Sequence, residues 1–175
     1  MLVTVGMGRF PFDRLLRAVA PLCDDHRVFA QTGSSSVALP CPSAAYLPPD
    51  ELGRLLAAVP VVITHAGNTV RLVQNLGKVP IAVARRAEHG EMADDHQVAY
   101  VERERADGRI IVVEADPAAV HEAVERYDAL VPSLLERPLP PATPATEVAD
   151  RLDGIVHDLV SRSRRARRRH SGSGA

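Results

Sequence analysis

Short apolar segments alternate with amphipathic segments over the first 130 residues of the chain. Residues 60–64 (PVVIT) are apolar throughout, which is typical of a strand buried on both faces of a parallel sheet. Other stretches repeat their apolar positions at helical spacing, for example Leu52, Leu55, Leu56 and Val59. The pattern predicts strands at 2–5, 27–31, 44–47, 60–64, 79–84 and 109–113, and helices at 12–22, 48–59, 68–76, 92–105 and 117–130. Such alternation predicts an α/β fold with a doubly wound parallel sheet, a single Rossmann-like domain.

The chain beyond residue 130 has a different composition. Five prolines between residues 131 and 145 predict an extended linker, and apolar positions from Val148 to Leu159 predict an amphipathic helix. Residues 161–175 carry six arginines and no acidic residue and end in glycine and serine, which predicts a disordered basic tail. We therefore divide the chain into a domain (1–130), a linker (131–146), a helix (147–160) and a tail (161–175).

Charge and composition exclude several classes of protein. The net charge is −1, but without the tail the chain has 15 basic and 22 acidic residues. This acidic body, with 3% aromatic residues and no tryptophan, argues against a nucleic-acid ligand. No apolar run approaches the ~20 residues of a membrane span, and the N-terminus lacks a signal-peptide pattern, so we expect a cytoplasmic protein. Cys23 and Cys41 have neither metal-binding nor redox spacing and are expected to be reduced thiols.

Three segments place glycine or polar residues directly after predicted strands, where open α/β sheets bind their ligands. In the first, 5–9 (VGMGR), glycines let backbone N–H groups approach a phosphate. In the second, 64–69 (THAGNT), Gly67 permits a tight turn and Asn68 or Thr69 can cap the next helix. That segment is either an ordinary capped crossover or a second phosphate or sugar contact.

The third segment, 85–97 (RRAEHGEMADDHQ), is dense in charged and hydrogen-bonding side chains. It could be a solvated loop. A metal cluster of His89, Glu91, Asp95 and His96 is a second interpretation, although carboxylates and histidines this close in sequence often cap helices. A polyol substrate such as a sugar fits better, because each hydroxyl needs its own hydrogen-bond partner.

Several of these motifs together resemble one known family. The motifs are TVG (4–6), PFDRL (11–15), ITHAG (63–67), GKVPI (77–81), GE (90–91) and DDHQ (94–97), in this order and spacing. Over residues 1–130 the chain resembles the C-terminal, donor-binding domain of glycosyltransferase family 28. The small stand-alone members are the most similar: the soluble subunit of the two-part N-acetylglucosaminyltransferase of lipid-linked oligosaccharide assembly, and bacterial exopolysaccharide subunits.

The resemblance implies a UDP-sugar site on one half of an inverting GT-B enzyme that uses neither a metal nor a cofactor. His65 is then the candidate catalytic residue, although a partner could supply the base. The implied diphosphate contacts are Gly6, Gly8, Arg9, Gly67, Asn68 and Thr69. Tyr46 and Leu47 would meet the uracil, and Glu91, Asp94, Asp95, His96 and Gln97 would form the loop at the donor sugar.

Two positions depart from the family pattern. Met7 stands where the family has threonine, and the ribose-binding glutamate of the helix after His-Ala-Gly falls on Leu72 or Val73, with Gln74 out of register. The family also implies a membrane-anchored acceptor-binding subunit as partner, and the basic tail suggests peripheral binding to anionic lipid at the inner face of the cell membrane. The alternative hypothesis is a degenerate, regulatory glycosyltransferase-like module that binds without turnover.

Overall fold

A computed structural model describes residues 1–137, residue 139 and residues 152–157. Six parallel strands form one sheet in the order β3-β2-β1-β4-β5-β6. The strands are β1 (Leu2–Thr4), β2 (Phe29–Gln31), β3 (Ser43–Ala44), β4 (Val62–His65), β5 (Ile81–Val83) and β6 (Ile111–Val112). The helices are α1 (Asp13–Val19), α2 (Leu22–Asp25), α3 (Pro49–Ala58), α4 (Asn68–Asn75), α5 (His96–Asp107), α6 (Pro117–Glu125) and α7 (Tyr127–Leu135). The prediction of a doubly wound parallel α/β sheet is confirmed.

The alternation of side chains along each strand separates two apolar layers. On one face, Val3 of β1 and Ile63 of β4 join the cluster formed with α1, α6 and α7. On the other face, Leu2 and Val62 pack with Leu56 of α3. Because both faces are covered, the strands read as continuous apolar runs, which is the pattern that made them recognisable in the sequence.

The order in which strands are added to the sheet reverses between β3 and β4: the first three strands extend the sheet to one side of β1, and the next three extend it to the other side. β2 pairs with one edge of β1, and β3 pairs with the far edge of β2. β4 pairs with the other edge of β1, and Leu2 is opposite Val62 in this pairing. Open sheets of this kind have a crevice at the carboxyl ends of the two strands that flank the reversal. The fold therefore places the ends of β1 and β4, with the loops that follow them, at one site.

Lys78, the single lysine of the sequence, ties the loop before β5 to the end of α3. Its ammonium group donates to the carbonyls of Leu56, Ala57 and Val59 at 2.7, 2.6 and 2.7 Å. A cation at this position satisfies carbonyls that have no partner within the helix and complements the negative end of the helix dipole. Burial of the ammonium group lowers its pKa.

The two cysteines are paired, so the expectation of reduced thiols is wrong. Cys23 lies in α2, the helix that precedes β2, and Cys41 lies two residues before the start of β3. Parallel pairing of β2 with β3 brings the two starting points side by side, with the Cα atoms 5.4 Å apart, a separation that a disulfide spans. Spacing along the sequence carried no information about this pairing, because it depends on which strands become neighbours.

The predicted boundary at residue 130 falls inside α7, whose bounds include Pro132. Leu130, Val131, Leu134 and Leu135 pack against the larger apolar cluster, so burial extends the helix into the start of the predicted linker.

The compact unit runs from Met1 to Leu139. Of the second unit, residues 152–157 are helical with exposed side chains, while the rest of the predicted linker and the whole basic tail lie outside the described residues. Among the described residues, no helix is long and apolar enough to cross a membrane.

Tyr127 gives a test of the buried hydrogen bonds that fix α7. Its hydroxyl donates to the Val79 carbonyl at 2.7 Å in the core, so Tyr127→Phe leaves that carbonyl without its partner and is expected to lower the free energy of unfolding by about 1–2 kcal/mol. The matched control is Tyr100→Phe, because the buried hydroxyl of Tyr100 has no hydrogen-bond partner. Urea unfolding should show a lower free energy of unfolding for Tyr127→Phe and an unchanged one for Tyr100→Phe. Equal decreases in the two variants would contradict a stabilising role of the Tyr127 hydrogen bond.

Candidate functional site at the β1–β4 crevice

A cleft of about 750 Å³ opens at the carboxyl ends of β1 and β4. Its floor is formed by strand ends and the loops after them, and its walls by α3 and α4. The lining residues are Thr4, Gly6, Met7, Gln31, Pro49, Leu52, Gly53, Leu56, His65, Asn68, Thr69, Leu72, Asn75 and Leu76. The size is typical of a small-molecule site.

Gln31 holds the loop after β1 in place. Its Oε1 accepts hydrogen bonds from the Thr4 hydroxyl at 2.6 Å and from the Gly6 N–H at 3.1 Å, and its Nε2 donates to the carbonyls of Gly6 and Ala45 at 2.9 and 2.8 Å. Gly6 adopts φ = +81°, which only glycine adopts without strain. Sequence reasoning missed Gln31, since a glutamine at the end of an apolar strand does not reveal its partners.

The imidazole of His65 is enclosed by two glycines. A Cβ on Gly6 would lie 2.6 Å from its Cε1 atom, and a Cβ on Gly67 would lie 2.9 Å from its Cδ2 atom. The ring's Nδ1 is buried without a partner that meets hydrogen-bond geometry. Gly6 and Gly67, one from each sequence motif, therefore leave room for this ring.

Burial lowers the pKa of His65 to about 4, and the positive charge of Arg85 adds to the effect, while a backbone interaction with Thr4 opposes it. The imidazole is therefore neutral at physiological pH. A neutral imidazole can donate one hydrogen bond and accept another, but a group with so low a pKa is a weak general base near pH 7.

The N-terminus of α4 faces this cleft without a side-chain cap. Gly67 is the N-cap residue in an extended conformation, and neither Asn68 nor Thr69 caps the helix, contrary to expectation. Asn68 is exposed and Thr69 is buried. Because the first N–H groups of a helix have no intrahelical partner, they remain available to an anion, which the helix dipole also favours.

The polar segment 85–97 is largely satisfied by contacts within the protein. The guanidinium of Arg14 forms a bidentate ion pair with the buried carboxylate of Glu91, at 3.0 Å from Nε and 2.8 Å from the terminal nitrogen. The same carboxylate accepts the N–H of Arg86 at 3.0 Å. Glu91, predicted at the donor sugar, is thus occupied in joining α1 to the loop after β5.

The DDHQ motif is divided between exposed and buried positions. Gln97 is buried, and its Oε1 accepts the N–H of Arg85 at 3.3 Å. Asp95 accepts the N–H of Ala87 at 2.8 Å. Asp94 and His96 are exposed and pair with each other, and the imidazole holds the pKa of the Asp94 carboxyl below its usual range. None of the four residues of the motif is among those that line the cleft.

The remaining predicted contacts, Gly8, Arg9, Tyr46 and Leu47, are not among the residues that line the cleft. Gly8 is exposed, with its carbonyl accepting the hydroxyl of Ser34. The guanidinium of Arg9, also exposed, lies over the Phe10 ring at 5.0 Å. Tyr46 is exposed and Leu47 is buried.

Leu72, Val73 and Gln74 of α4, where the family pattern has a ribose-binding glutamate or lies next to it, are in different environments. Leu72 lines the cleft and is 49% exposed, whereas Val73 is fully buried in the apolar layer beneath. Gln74 is buried and donates to Glu104 and to the Arg109 carbonyl at 3.2 and 3.3 Å. Among the described residues, no group of three or more histidine, cysteine or acidic side chains could hold a metal ion.

Comparison with known proteins finds similarity among solved structures but not among family models or curated sequences. No family model and no curated protein matches the sequence. Among solved structures, the chain is similar to the spinosyn forosaminyltransferase SpnP, with 20% identity and a TM-score of 0.49 over 89% of this chain and 43% of that one. The chain therefore spans less than half the length of that enzyme. The fold assignment itself follows from the strand order and strand directions of the sheet.

Gly67→Ala tests the enclosure of His65. The new methyl group would overlap the imidazole, which Gly6 prevents from moving away, so we expect a loss of about 1–3 kcal/mol in the free energy of unfolding. Gly53→Ala is the control: Gly53 lines the same cleft inside α3 but has open space around it, and alanine there should stabilise the helix by about 0.5–1 kcal/mol. A Gly67→Ala protein as stable as the wild type would contradict the enclosure.

The low pKa of His65 predicts a pH dependence of stability. The unfolded chain binds a proton at the ordinary pKa of 6.5, but the folded chain binds it only near 4, so the free energy of unfolding should fall as the pH decreases from 6.5 towards 4. In His65→Asn this contribution is absent, and the decrease should be smaller by an amount that urea titrations at pH 7 and pH 5 can measure. An NMR titration of the imidazole should give a midpoint near 4. A midpoint above 6 would refute the assignment.

Proposed function

We propose that this chain is the donor-binding part of an inverting glycosyltransferase that takes a nucleoside diphosphate sugar. The observation that carries the proposal is the convergence, in one crevice, of the uncapped start of α4, the glycine loop after β1 and a neutral histidine. Helix N-termini and glycine loops bind phosphate groups through backbone N–H groups. The motif resemblance names a UDP-sugar, UDP-N-acetylglucosamine or a UDP-hexose, as the reference donor.

In the proposed transfer, an acceptor hydroxyl oxygen bonds to the anomeric carbon as the bond from that carbon to the diphosphate oxygen breaks. Negative charge then builds on the departing diphosphate, where the N–H groups of Asn68 and Thr69 and the dipole of α4 stabilise it. Because His65 is a weak base, we assign it a hydrogen bond to the donor and leave removal of the acceptor proton to the acceptor-binding part of the enzyme.

The partner proposed for this chain is a membrane-anchored subunit that binds a lipid-linked acceptor. Met7, Tyr46, Leu72 and Leu76 are the large apolar side chains most exposed within residues 1–137, and three of the four line the cleft. Grouped apolar side chains of this kind are commonly covered by another surface. Binding of the tail to anionic lipid, at the inner face of the membrane, remains a separate proposal that concerns residues outside those described.

A binding module without turnover is the second candidate function. The lining of the cleft favours it, because that lining contains no charged side chain. The transferase is expected to bind a nucleotide, and so is a binding module that has kept its ligand. Only the transferase is expected to transfer a sugar when its partner is present.

Asn68→Pro tests the diphosphate site. Asn68 is the first residue of α4, where proline is tolerated in a helix but removes the backbone N–H. We expect UDP to bind the full chain in calorimetry, and Asn68→Pro to weaken that binding by about 10-fold or more, the cost of a lost hydrogen bond to a charged group. Asn68→Ala keeps the N–H and should bind UDP more tightly than the proline variant. Identical affinities of the two variants would contradict the site.

Activity is expected to require the partner. The purified chain should bind UDP yet transfer no labelled sugar, and co-expression with a membrane subunit should give transfer on membranes. Efficient transfer to a lipid-linked acceptor by the isolated chain would contradict the partner proposal, and failure to bind UDP or related nucleotides at millimolar concentration would contradict the donor site.

A further inference from the structure

A second cavity, of about 810 Å³, lies where the strands of the sheet begin, at the edge opposite to the cleft. Both cysteines of the disulfide line this cavity, and both are half-buried. Thiol–disulfide exchange requires that an incoming thiolate reach one of the two sulfur atoms. The cavity therefore gives a small thiol a route to the Cys23–Cys41 bond.

The basic side chains that line the cavity are His26 and Arg27, and none of the described residues lining it is acidic. The imidazole of His26 lies 3.5 Å from the Glu125 carboxylate, so Arg27, which is exposed, supplies the positive charge of the cavity. The two acidic residues of α2, Asp24 and Asp25, are exposed and do not line it. A cation beside a disulfide attracts an anionic thiol and stabilises the thiolate that leaves.

The disulfide anchors the start of β3, an edge strand of two residues. The backbone bonds that join this segment to β2 and the loop after it include those from the Thr32 N–H to the Ala44 carbonyl at 2.9 Å and from the Gly33 N–H to the Ala45 carbonyl at 2.8 Å. A short edge strand belongs to the part of a sheet that opens most easily, so a covalent link at its start is a large share of its restraint.

The anchored segment leads directly into a wall of the cleft. Residues 45–48 connect β3 to α3, and α3 forms that wall. The Ala45 carbonyl also accepts the Nε2 of Gln31, the residue that holds the glycine loop. The restraint on β3 is therefore transmitted to the cleft.

We propose that Cys23–Cys41 is a reversible redox site, reduced by an anionic low-molecular-weight thiol that enters this cavity, and that its reduction loosens β3 and the start of α3. The thiolate of the reductant attacks one cysteine sulfur, which forms a mixed disulfide and releases the other cysteine as a thiolate. A second thiolate then attacks the sulfur that the reductant contributed. Two thiols are thereby oxidised to one disulfide, and the protein gains two electrons and two protons as its two cysteine thiols. The proposal does not depend on the ligand of the cleft.

Two thiols of opposite charge test the route of access. The full chain is reduced with glutathione, which is anionic, or with cysteamine, which is cationic, and the free thiols are alkylated and counted by mass spectrometry. Arg27→Gln should slow reduction by glutathione about threefold or more relative to reduction by cysteamine, because it removes the attracting charge. Arg103→Gln removes the same charge from an exposed position in α5 and should leave both rates unchanged.

Amide hydrogen exchange tests the loosening. After reduction, the N–H groups of Thr32 and Gly33 should exchange about tenfold faster or more, because a cross-link between residues 18 positions apart is lost. The Leu52 N–H, bonded to the Pro48 carbonyl at the start of α3, should follow them. The Val113 N–H, at the other edge of the sheet, is the internal control and should keep its rate.

The double variant Cys23→Ser, Cys41→Ser should exchange like the reduced protein and should not respond to thiols. Reduction by millimolar glutathione, reversed by its disulfide form, with faster exchange confined to β3 and the start of α3, would support the proposal. A disulfide that persists in millimolar glutathione, unchanged exchange after reduction, or an equal rise at Val113 would overturn it. Equal effects of Arg27→Gln on the two thiols would overturn the assigned route.

Discussion

The buried guanidinium of Arg85 joins two loops that lie far apart in the sequence and next to each other in the fold. It donates to the carbonyls of Val5, Phe10 and Pro11 in the loop after β1, and to the carbonyl of Glu91 in the loop after β5. Since a buried cation is costly unless its N–H groups are bonded, these carbonyls must stay close to it. The position of the glycine loop, and with it part of the floor of the cleft, depends on this constraint.

The same cation also shapes the chemistry of the cleft. Its positive charge adds to burial in keeping His65 neutral, and Gly6, near the start of the loop that Arg85 holds, lies against the imidazole ring. In the proposed function, a neutral histidine beside an uncapped helix start leaves the binding of an anion to backbone N–H groups rather than to side-chain cations.

The sheet was predictable because its signals are local. Apolar runs of strand length and helical repeats are visible within a few residues, and so is the glycine turn that precedes α4. The bonds of Gln31 to Gly6, Arg85 to Val5 and Arg14 to Glu91 were not predictable, because they join residues 25, 80 and 77 positions apart and depend on which strands become neighbours. The Cys23–Cys41 pair escaped sequence reasoning for the same reason.

The polar segment 85–97 shows how density of polar side chains can mislead. Many hydrogen-bonding groups in a loop at the carboxyl edge suggested a polyol ligand, but such a loop must also satisfy its own backbone and bury its own charges. Glu91 and Gln97 are taken up by Arg14 and Arg85, and these bonds make the loop a rigid support for the cleft. Glu91 and Gln97 hold the loop itself, while the backbone N–H groups at the start of α4 have no side-chain cap.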